Sequence, residues 1–218
     1  MLDYLPSTWL GWALVLIAAI NVTGLPLAFH IRLLLTVAWQ FRNGRIPDVL
    51  EGVRLPLRVW PSECDINLHM NNASYNLVAD MGRYAFAVGT GMWAKSRADG
   101  FYLANGGVSL RFKRELKPLA AYTHITRLHS FDGKWMYLEH RFEAPNSGKV
   151  HAFGYSRFVA KKGRDDVPPA TLLRELGYAD AVDVVSALTA SKAPHASLGA
   201  LADSIDDALY DVAGRWSR

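Results

Sequence analysis

Six polar side chains, besides a tyrosine, lie within the eleven residues from Asp65 to Tyr75, which read DINLHMNNASY. A carboxylate, an imidazole and several amides within so short a segment provide a general base together with groups that orient a water molecule or a carbonyl oxygen. An Asn before a helix is also a common N-cap, because its side chain accepts a hydrogen bond from an amide of the first turn. A capping role for Asn71 or Asn72 is therefore the structural alternative to a catalytic loop.

The residues around this segment predict a strand before it and a helix after it. Apolar and polar residues alternate over residues 53–59, and Pro56 within this run is typical of an edge strand. From about Ala73 to Trp93, apolar residues recur at helical spacing over a broad face. We expect this segment to be the one long helix of the body, and to be buried along much of its circumference.

Four β-rich stretches follow, over residues 101–116, 122–131, 135–144 and 150–159. Asp132-Gly133, between the second and third stretches, is a strong hairpin signal. Gly106-Gly107, within the first, marks a bulge or the close approach of a ligand. One strand, one long helix and then an antiparallel meander predict an α+β fold in which the curved sheet wraps the helix.

The spacing Asp-x-Asn-x-His-x-Asn-Asn-x-x-Tyr, between a strand and a long helix, resembles that of the hot-dog-fold thioesterases. It is most similar to the branch of thioesterase superfamily member six-like proteins, which are related to 4-hydroxybenzoyl-CoA thioesterase. The resemblance extends over residues 53–160 in element order and implies the hot-dog fold. It also implies an acyl thioesterase that acts on acyl-CoA or a related acyl thioester, with the active site at the seam of a homodimer.

The resemblance places Asp65 at the position of the catalytic carboxylate, and implies that Asn67 and His69 orient the water or the thioester carbonyl. The first turn of the helix is expected to offer unpaired amides for the developing oxyanion. The residues expected to bind the substrate are Asn71, Asn72, Tyr75 and Gly107. The central helix offers Asp80 as a second acid, and Arg111, Lys113 and Arg114 are candidate ligands for the phosphates of coenzyme A.

Two other functions remain open. A histidine with an acidic partner also suits a hydroxyacyl-thioester dehydratase or hydratase, and the apolar N-terminus suits a non-catalytic acyl-lipid-binding membrane protein. The single cysteine, Cys64, is a weak candidate nucleophile, because Glu63 and Asp65 beside it would raise the pKa of its thiol. Neither HExxH nor CxxC spacing is present, so we expect no metal ion and no other cofactor.

The N-terminal region predicts attachment to a membrane. Residues 9–29 contain no Asp, Glu, Lys or Arg, and this run of 21 residues has the length of a membrane span. Arginines follow the run while Asp3 precedes it, so we expect a retained anchor with the body facing the cytosol, on the endoplasmic reticulum or another endomembrane. A second, interfacial helix is expected over residues 25–41.

Composition and charge exclude some classes of protein. Half of the residues are hydrophobic and the net charge is only +4, without a block of Lys and Arg, which excludes a disordered chain and indicates no nucleic-acid partner. The predicted organisation is an N-terminal membrane-anchor region over residues 1–47, a hot-dog domain over 48–162, and a C-terminal helical extension over 163–218. Within the extension, residues 190–197 are predicted to be a linker and residues 198–212 an acidic amphipathic helix.

Overall fold

A computed structural model describes residues 8–22 and 27–191 of the chain. The helices are α1 (Trp9–Val22), α2 (Leu27–Asn43), α3 (Asn72–Gly89), α4 (Met92–Asp99), α5 (Pro169–Glu175) and α6 (Ala179–Ser191). The strands are β1 (Val53–Arg58), β2 (Tyr102–Phe112), β3 (Ala121–Phe131), β4 (Met136–Glu143), β5 (Val150–Lys162) and β6 (Asp165–Val167). The predicted acidic helix over 198–212, and the predicted linker from residue 192 onward, lie outside the described residues.

The strands form one antiparallel sheet in the order β1-β3-β4-β5-β2, with β6 paired to the end of β5. Pro56 lies in β1 at the edge of this sheet, as predicted. The predicted meander is confirmed for β3, β4 and β5 but is wrong for β2, which pairs with β5 at the opposite edge. The segment between β2 and β3 explains the difference, because its residues Leu116 and Leu119 form backbone hydrogen bonds with Met70 and Val59 and so direct β3 to β1.

Two local signals in the sheet are confirmed. The Asp132 carboxylate accepts hydrogen bonds from the amides of Lys134 and Trp135, both at 2.7 Å, and closes the turn between β3 and β4. The register of β2 shifts between Asn105 and Gly107, which is the predicted bulge. Gly106 lies under the ring of Trp135, where a Cβ atom would come within 2.4 Å of the ring.

Helix α3 packs its buried face against the inner face of the curved sheet. Tyr75, Val78 and Met81 lie in one core cluster, and Ala85 and Phe86 in a second. This arrangement is the predicted α+β architecture of a long helix covered by a curved sheet.

The predicted continuation of α3 to Trp93 is wrong, because the helix ends at Gly89. The Thr90 hydroxyl donates to the Phe86 carbonyl at 2.8 Å, and Gly91 has a left-handed φ of 83°. Such a residue reverses the chain direction at a helix end, so α4 begins as a separate helix.

The segments on either side of the predicted hot-dog domain pack against it. On α2, Thr36 and Gln40 are buried, and the Thr36 hydroxyl lies 3.9 Å from the Met81 sulfur of α3. Beyond residue 162, Leu172 of α5 and Val182 of α6 belong to the same core cluster as Phe86. Residues from both flanking segments therefore stabilise the body of the protein.

The N-terminal helices differ from the predicted membrane span. Helix α1 is described over Trp9–Val22 and α2 over Leu27–Asn43. With 14 residues, α1 is about 21 Å long, whereas the hydrocarbon core of a bilayer is about 30 Å thick. Within residues 8–22 and 27–191, no helix combines the length and the apolar character that a crossing of the membrane requires. The predicted helix over residues 25–41 is observed as α2.

Candidate active site

The segment from Asp65 to Met70 forms a tight loop directly before α3, which we call the Asp65 loop. Its two ends pair, since Cys64 and Met70 form an isolated antiparallel bridge. The Asp65 amide donates to the His69 carbonyl at 3.0 Å, and the Leu68 amide donates to the Asp65 carbonyl at 3.1 Å. These bonds hold the polar side chains of the loop within a single turn.

The structure brings the three predicted catalytic residues together in this turn. The Asp65 Oδ1 atom accepts the Asn67 amide at 2.9 Å and lies 3.6 Å from the His69 Nδ1 atom. The side chains of Asp65 and His69 are 24% and 32% exposed, so both are accessible to a ligand without standing free in solvent. This pair is able to accept a proton from water and to donate one to an oxygen atom.

The loop also contains a strained residue. Leu68 has a φ of 58°, in the left-handed region that residues with a Cβ atom rarely adopt. The side chains of Ile66 and Leu68 are 96% and 70% exposed, so the residues between the polar groups contribute little to the core. Backbone strain of this kind persists where the surroundings enforce it and is concentrated at functional sites.

Asn71 is the N-cap of α3, in agreement with the structural alternative for this residue. Its Oδ1 atom accepts the Ala73 amide at 2.8 Å, and its carbonyl accepts the Ser74 amide at 2.9 Å. The expectation that the first turn leaves its amides unpaired is therefore wrong for these two groups. Asn72, the first residue of the helix, has an exposed side chain.

Tyr75 lies in the core rather than on the surface of the loop. Its ring contacts those of Phe112 on β2 and Phe142 on β4, with centroids 5.0 and 4.9 Å away. Burial raises the pKa of Tyr75 to about 12, and a hydrogen bond with the Leu116 backbone opposes this change. Tyr75 connects the start of α3 to both strands and stays neutral at physiological pH.

Gly107 is separated from the Asp65 loop in this structure, at the bulge of the edge strand β2. Its φ is 153°, and its amide donates to the Asn105 side chain at 3.2 Å. The conformation favours glycine, so the bulge accounts for Gly107 without a ligand.

The predicted phosphate ligands lie where β2 ends. Lys113 is placed over the Phe153 ring at 4.8 Å, and Arg114 donates to the Val150 carbonyl at 3.1 Å. Arg114 also lines a cleft of about 590 Å³ together with Lys117 and His151. Glu115 and Leu116 border the same cleft, which holds two Arg/Lys side chains against one carboxylate and is therefore basic in balance. The Leu116 carbonyl accepts the Met70 amide, so this basic cleft adjoins the Asp65 loop.

Cys64 has the properties of a thiol rather than a thiolate. Burial raises the pKa of the Cys64 thiol, and the carboxylates of Glu63 and Asp65 raise it further. The prediction that Glu63 and Asp65 raise the pKa of this thiol is confirmed. Across the part of the chain that the structure describes, no group of three or more His, Cys, Asp or Glu side chains is arranged to hold a metal ion.

A cavity of about 440 Å³ lies farther along α3, between this helix, α4 and the edge strand β2. Phe86, Leu138 and Phe158 form part of its apolar wall, and Asp80 and Arg83 provide polar groups that pair at 2.5 Å. The volume is within the usual range for small-molecule sites. The sequence analysis offered only Asp80 here, because the cavity forms only where α4 and the strands β2, β4 and β5 meet α3 in the fold.

A second polar group, which we call the buried histidine cluster, lies beneath α3. His124 and His140 are fully buried and stack with ring centroids 5.4 Å apart. The hydroxyl of Thr126 lies 3.2 Å from His140 Nδ1, and that of Ser156 lies 2.8 Å from His140 Nε2. Burial lowers the pKa of His124 to about 3 and that of His140 well below its ordinary value, so both imidazoles are neutral.

The chain is similar in sequence to proteins of one known superfamily. A sequence model described as the thioesterase-like superfamily matches residues 59–172, which include the Asp65 loop and α3. The Penicillium oxalicum protein named Thioesterase poxG is 26% identical over 215 aligned positions, covering 76% of this chain and 70% of that protein. Protein THEM6 of Xenopus laevis is 32% identical over 149 positions, covering 68% of this chain and 72% of that protein.

The solved structures that resemble the chain show the same fold. The crystal structure of the probable thioesterase YbaW from Escherichia coli superposes with a TM-score of 0.53 at 18% sequence identity. The superposition covers 58% of this chain and 96% of that one. The predicted hot-dog fold is confirmed.

Proposed function

Since the chain belongs to the thioesterase-like superfamily, we propose that it hydrolyses acyl-CoA or a related acyl thioester with Asp65 as the catalytic carboxylate. Several of its relatives, Thioesterase poxG among them, are named thioesterases, and the chain is a thioesterase-like hydrolase. The observation that carries the assignment of Asp65 is its position beside His69 on a strained loop directly before a buried helix.

The chemistry assigned to the loop is the attack of water, or of Asp65 itself, on the thioester carbon. In the first route Asp65 removes the proton of the attacking water, the C–S bond breaks as the tetrahedral intermediate collapses, and the departing thiolate takes up that proton. In the second route Asp65 displaces the thiolate to give an anhydride, which water then hydrolyses to free acid and the Asp65 carboxylate. In both routes negative charge develops on the carbonyl oxygen and requires donors in fixed positions. We assign this role to Asn67, His69 and the Asn72 amide, with the positive end of the α3 dipole behind them.

The substrate is proposed to lie along α3, with each part of the site taking a different chemical group. The basic cleft of Arg114, Lys117 and His151 suits the phosphates of coenzyme A and adjoins the Asp65 loop. The cavity near Asp80 suits the acyl group, and at 1.5 Å per residue it begins about 14 Å along the helix from Asn71. The four residues that the sequence analysis expected to bind the substrate are retained in this proposal: Asn71, Asn72, Tyr75 and Gly107.

The test is steady-state hydrolysis of a panel of acyl-CoAs by the Asp65→Asn variant. Asn keeps the side-chain oxygen that accepts the Asn67 amide, so the loop stays closed while the carboxylate is lost. We expect turnover to fall by roughly 10²-fold or more, as for other positioned acid–base groups. Unchanged turnover would remove Asp65 from the mechanism.

Asp48→Asn is a matched control for this experiment. Asp48 has an exposed side chain whose Oδ1 atom accepts the amide two residues later, that of Leu50, at 2.7 Å. The two substitutions therefore make the same chemical change in the same local geometry. Only the one at Asp65 is expected to affect turnover.

The His69 to Asp65 contact also favours a second candidate reaction, the dehydration or hydration of a hydroxyacyl thioester. In that reaction the pair would remove the proton next to the carbonyl and leave the thioester bond intact. Product analysis separates the two, since hydrolysis releases a free thiol and dehydration yields an enoyl thioester. An acyl-lipid-binding protein without catalysis would retain its ligand and release neither product.

We further propose that the N-terminal helices lie on a membrane surface, with the body in the cytosol at an endomembrane. On α2, Ile31, Leu34 and Leu35 are 55%, 67% and 64% exposed at helical spacing, and on α1 Trp9 is 82% exposed. An apolar helical face of this kind suits insertion at the level of the lipid headgroups. Flotation with phospholipid vesicles tests this proposal. Loss of flotation in a Leu34→Glu, Leu35→Glu variant is the expected result, and flotation equal to that of the wild type would contradict it.

A homodimer is proposed to form through the open edge of β2. Tyr102 and Phe112, at the two ends of this strand, are 54% and 43% exposed, and pairing with a second copy would cover them. Light scattering of the purified protein tests the dimer. A monomer at micromolar concentration would contradict it.

A further inference from the structure

We propose that Arg32 on α2 is a positioning residue for the Asp65 loop. The inference rests on the proposed function of Asp65, and it adds a residue from outside the family-matched segment 59–172 to the active site. Its basis is an ion pair between the guanidinium of Arg32 and the carboxylate of Glu63, two residues before Asp65.

The ion pair is largely shielded from water. The side chains of Arg32 and Glu63 are 18% and 10% exposed, and Arg32 also lies 6.0 Å from the centre of the Trp60 ring. Removal of one partner from such a pair leaves the other charge without compensation in a poorly solvated position. The position of Glu63 is therefore strongly coupled to that of Arg32.

Glu63 in turn holds both ends of the Asp65 loop. Its carboxylate accepts the Trp60 amide at 2.8 Å, which fixes the short 3₁₀ turn at Pro61–Glu63. Its carbonyl accepts the Asn71 amide at 2.8 Å and the Ser74 hydroxyl at 2.9 Å. One residue thus connects the segment before Asp65 to the N-cap and first turn of α3.

Helix α2 is well anchored for this role. The Thr36 contact with Met81 and the close approach of the Gln40 side chain to Gly89 keep its inner face on α3, while Ile31 and Leu34 face outward. Arg32 transmits the position of this helix to Glu63 through a single contact. Small displacements of a catalytic group have large effects on rate, so the contact is expected to control turnover more than substrate binding.

The experiment compares four variants in the full chain: Arg32→Met, Arg32→Lys, Arg42→Met, and the double variant Arg32→Met, Glu63→Met. The double variant removes both charges together, and folding tolerates this better than the loss of one partner. We expect the double variant to fold and to show a kcat roughly 10²-fold lower with KM unchanged. Arg32→Lys keeps the charge and is expected to recover most of the kcat that Arg32→Met loses. Arg42, exposed on the last turn of α2, is the matched control and is expected to retain wild-type kcat.

Hydrogen exchange provides a readout that does not depend on catalysis. The peptide that contains Asn71 and Ser74 is expected to exchange faster in the double variant than in the wild type. A double variant with wild-type kcat, or with wild-type exchange over residues 63–74, would overturn the proposal. If the wild type hydrolyses no acyl-CoA, or if Asp65→Asn retains full turnover, the proposed function of Asp65 fails instead. The exchange measurement alone then decides whether Arg32 holds the loop.

Discussion

The Asp65 loop and the buried histidine cluster are built from similar side chains but differ in what surrounds them. In the loop, His69 faces an acid at 3.6 Å and is 32% exposed. In the cluster, His124 and His140 are fully buried and contact hydroxyl groups and each other. Polar groups that are enclosed and bonded to one another have no room for a substrate, so the cluster stabilises the fold while the loop is available for chemistry.

The two regions also differ in backbone conformation, which is strained in the loop and regular in the cluster. Leu68 in the loop has a left-handed conformation, which costs free energy. The cluster lies on strands β3, β4 and β5, whose registers pair residue by residue around it. We therefore expect substitutions in the cluster to change stability and substitutions in the loop to change turnover.

The largest effect is expected for Gly82→Ala. Gly82 lies on α3 above the cluster, and an added Cβ atom would lie 2.2 Å from the Thr126 hydroxyl oxygen and 2.3 Å from the His124 ring. Neither side chain has room to move, so we expect the free energy of unfolding to fall by about 3 kcal/mol. Urea denaturation of the variant measures this loss.

Gly133→Ala is the control, because nothing lies within 4 Å of a Cβ atom at that position. It is expected to change the free energy of unfolding by less than about 1 kcal/mol. A Gly82→Ala variant as stable as the wild type would show that α3 is not in tight contact with the cluster.

The next effect is the dependence of stability on pH. The pKa of His124 is about 3 in the folded protein because the ring is buried, with Arg83 contributing, whereas an unfolded histidine titrates near pH 6.5. Between these values the unfolded chain binds more protons, so stability falls as the pH falls through this window. His124 alone is expected to lower the free energy of unfolding by about 2 kcal/mol between pH 7 and pH 5.

Urea denaturation at the two pH values measures this change. His151→Gln is the control, since His151 is exposed and bonds to the Glu115 carbonyl, and it is expected to keep the same pH dependence. Equal stability of the wild type at pH 7 and pH 5 would mean that the cluster histidines are not buried in the neutral state.

An effect of about 1 kcal/mol is expected for Asn71→Ala, which removes the N-cap of α3. The neighbouring Asn72→Ala substitution serves as the matched control, because the Asn72 side chain is exposed and is expected to change stability by less than about 0.5 kcal/mol. Thermal unfolding of both variants gives the comparison. Equal losses at the two positions would contradict the assignment of Asn71 as the cap.

The features that the sequence predicted correctly depend on neighbouring residues. The alternation in β1, the Asp132-Gly133 turn and the Asn71 cap each involve groups within a few positions of one another. Their chemistry is complete within the local sequence, so the structure reproduces them.

The features that the sequence analysis missed are contacts between residues that are distant along the chain. His124 and His140 are 16 positions apart and meet only because β3 pairs with β4. Arg32 and Glu63 are 31 positions apart and meet only because α2 packs on α3. The pairing of β2 with β5 likewise depends on how the connection to β3 crosses the start of α3. The spacing of residues along the sequence does not predict these long-range contacts.

The smallest effect, and the one that separates the two regions most clearly, is expected for Leu68→Gly. Glycine adopts the left-handed conformation without the cost that Leu68 bears, but it also gains freedom in the unfolded chain. These terms nearly cancel, so the free energy of unfolding is expected to rise by about 0.5 kcal/mol or to stay unchanged. Turnover is expected to fall nevertheless, because a glycine at this position lets the Asp65 and His69 side chains move apart. In the buried histidine cluster no substitution is expected to combine retained stability with lost activity. Leu68→Gly with wild-type turnover would show that the strained turn does not position the catalytic pair.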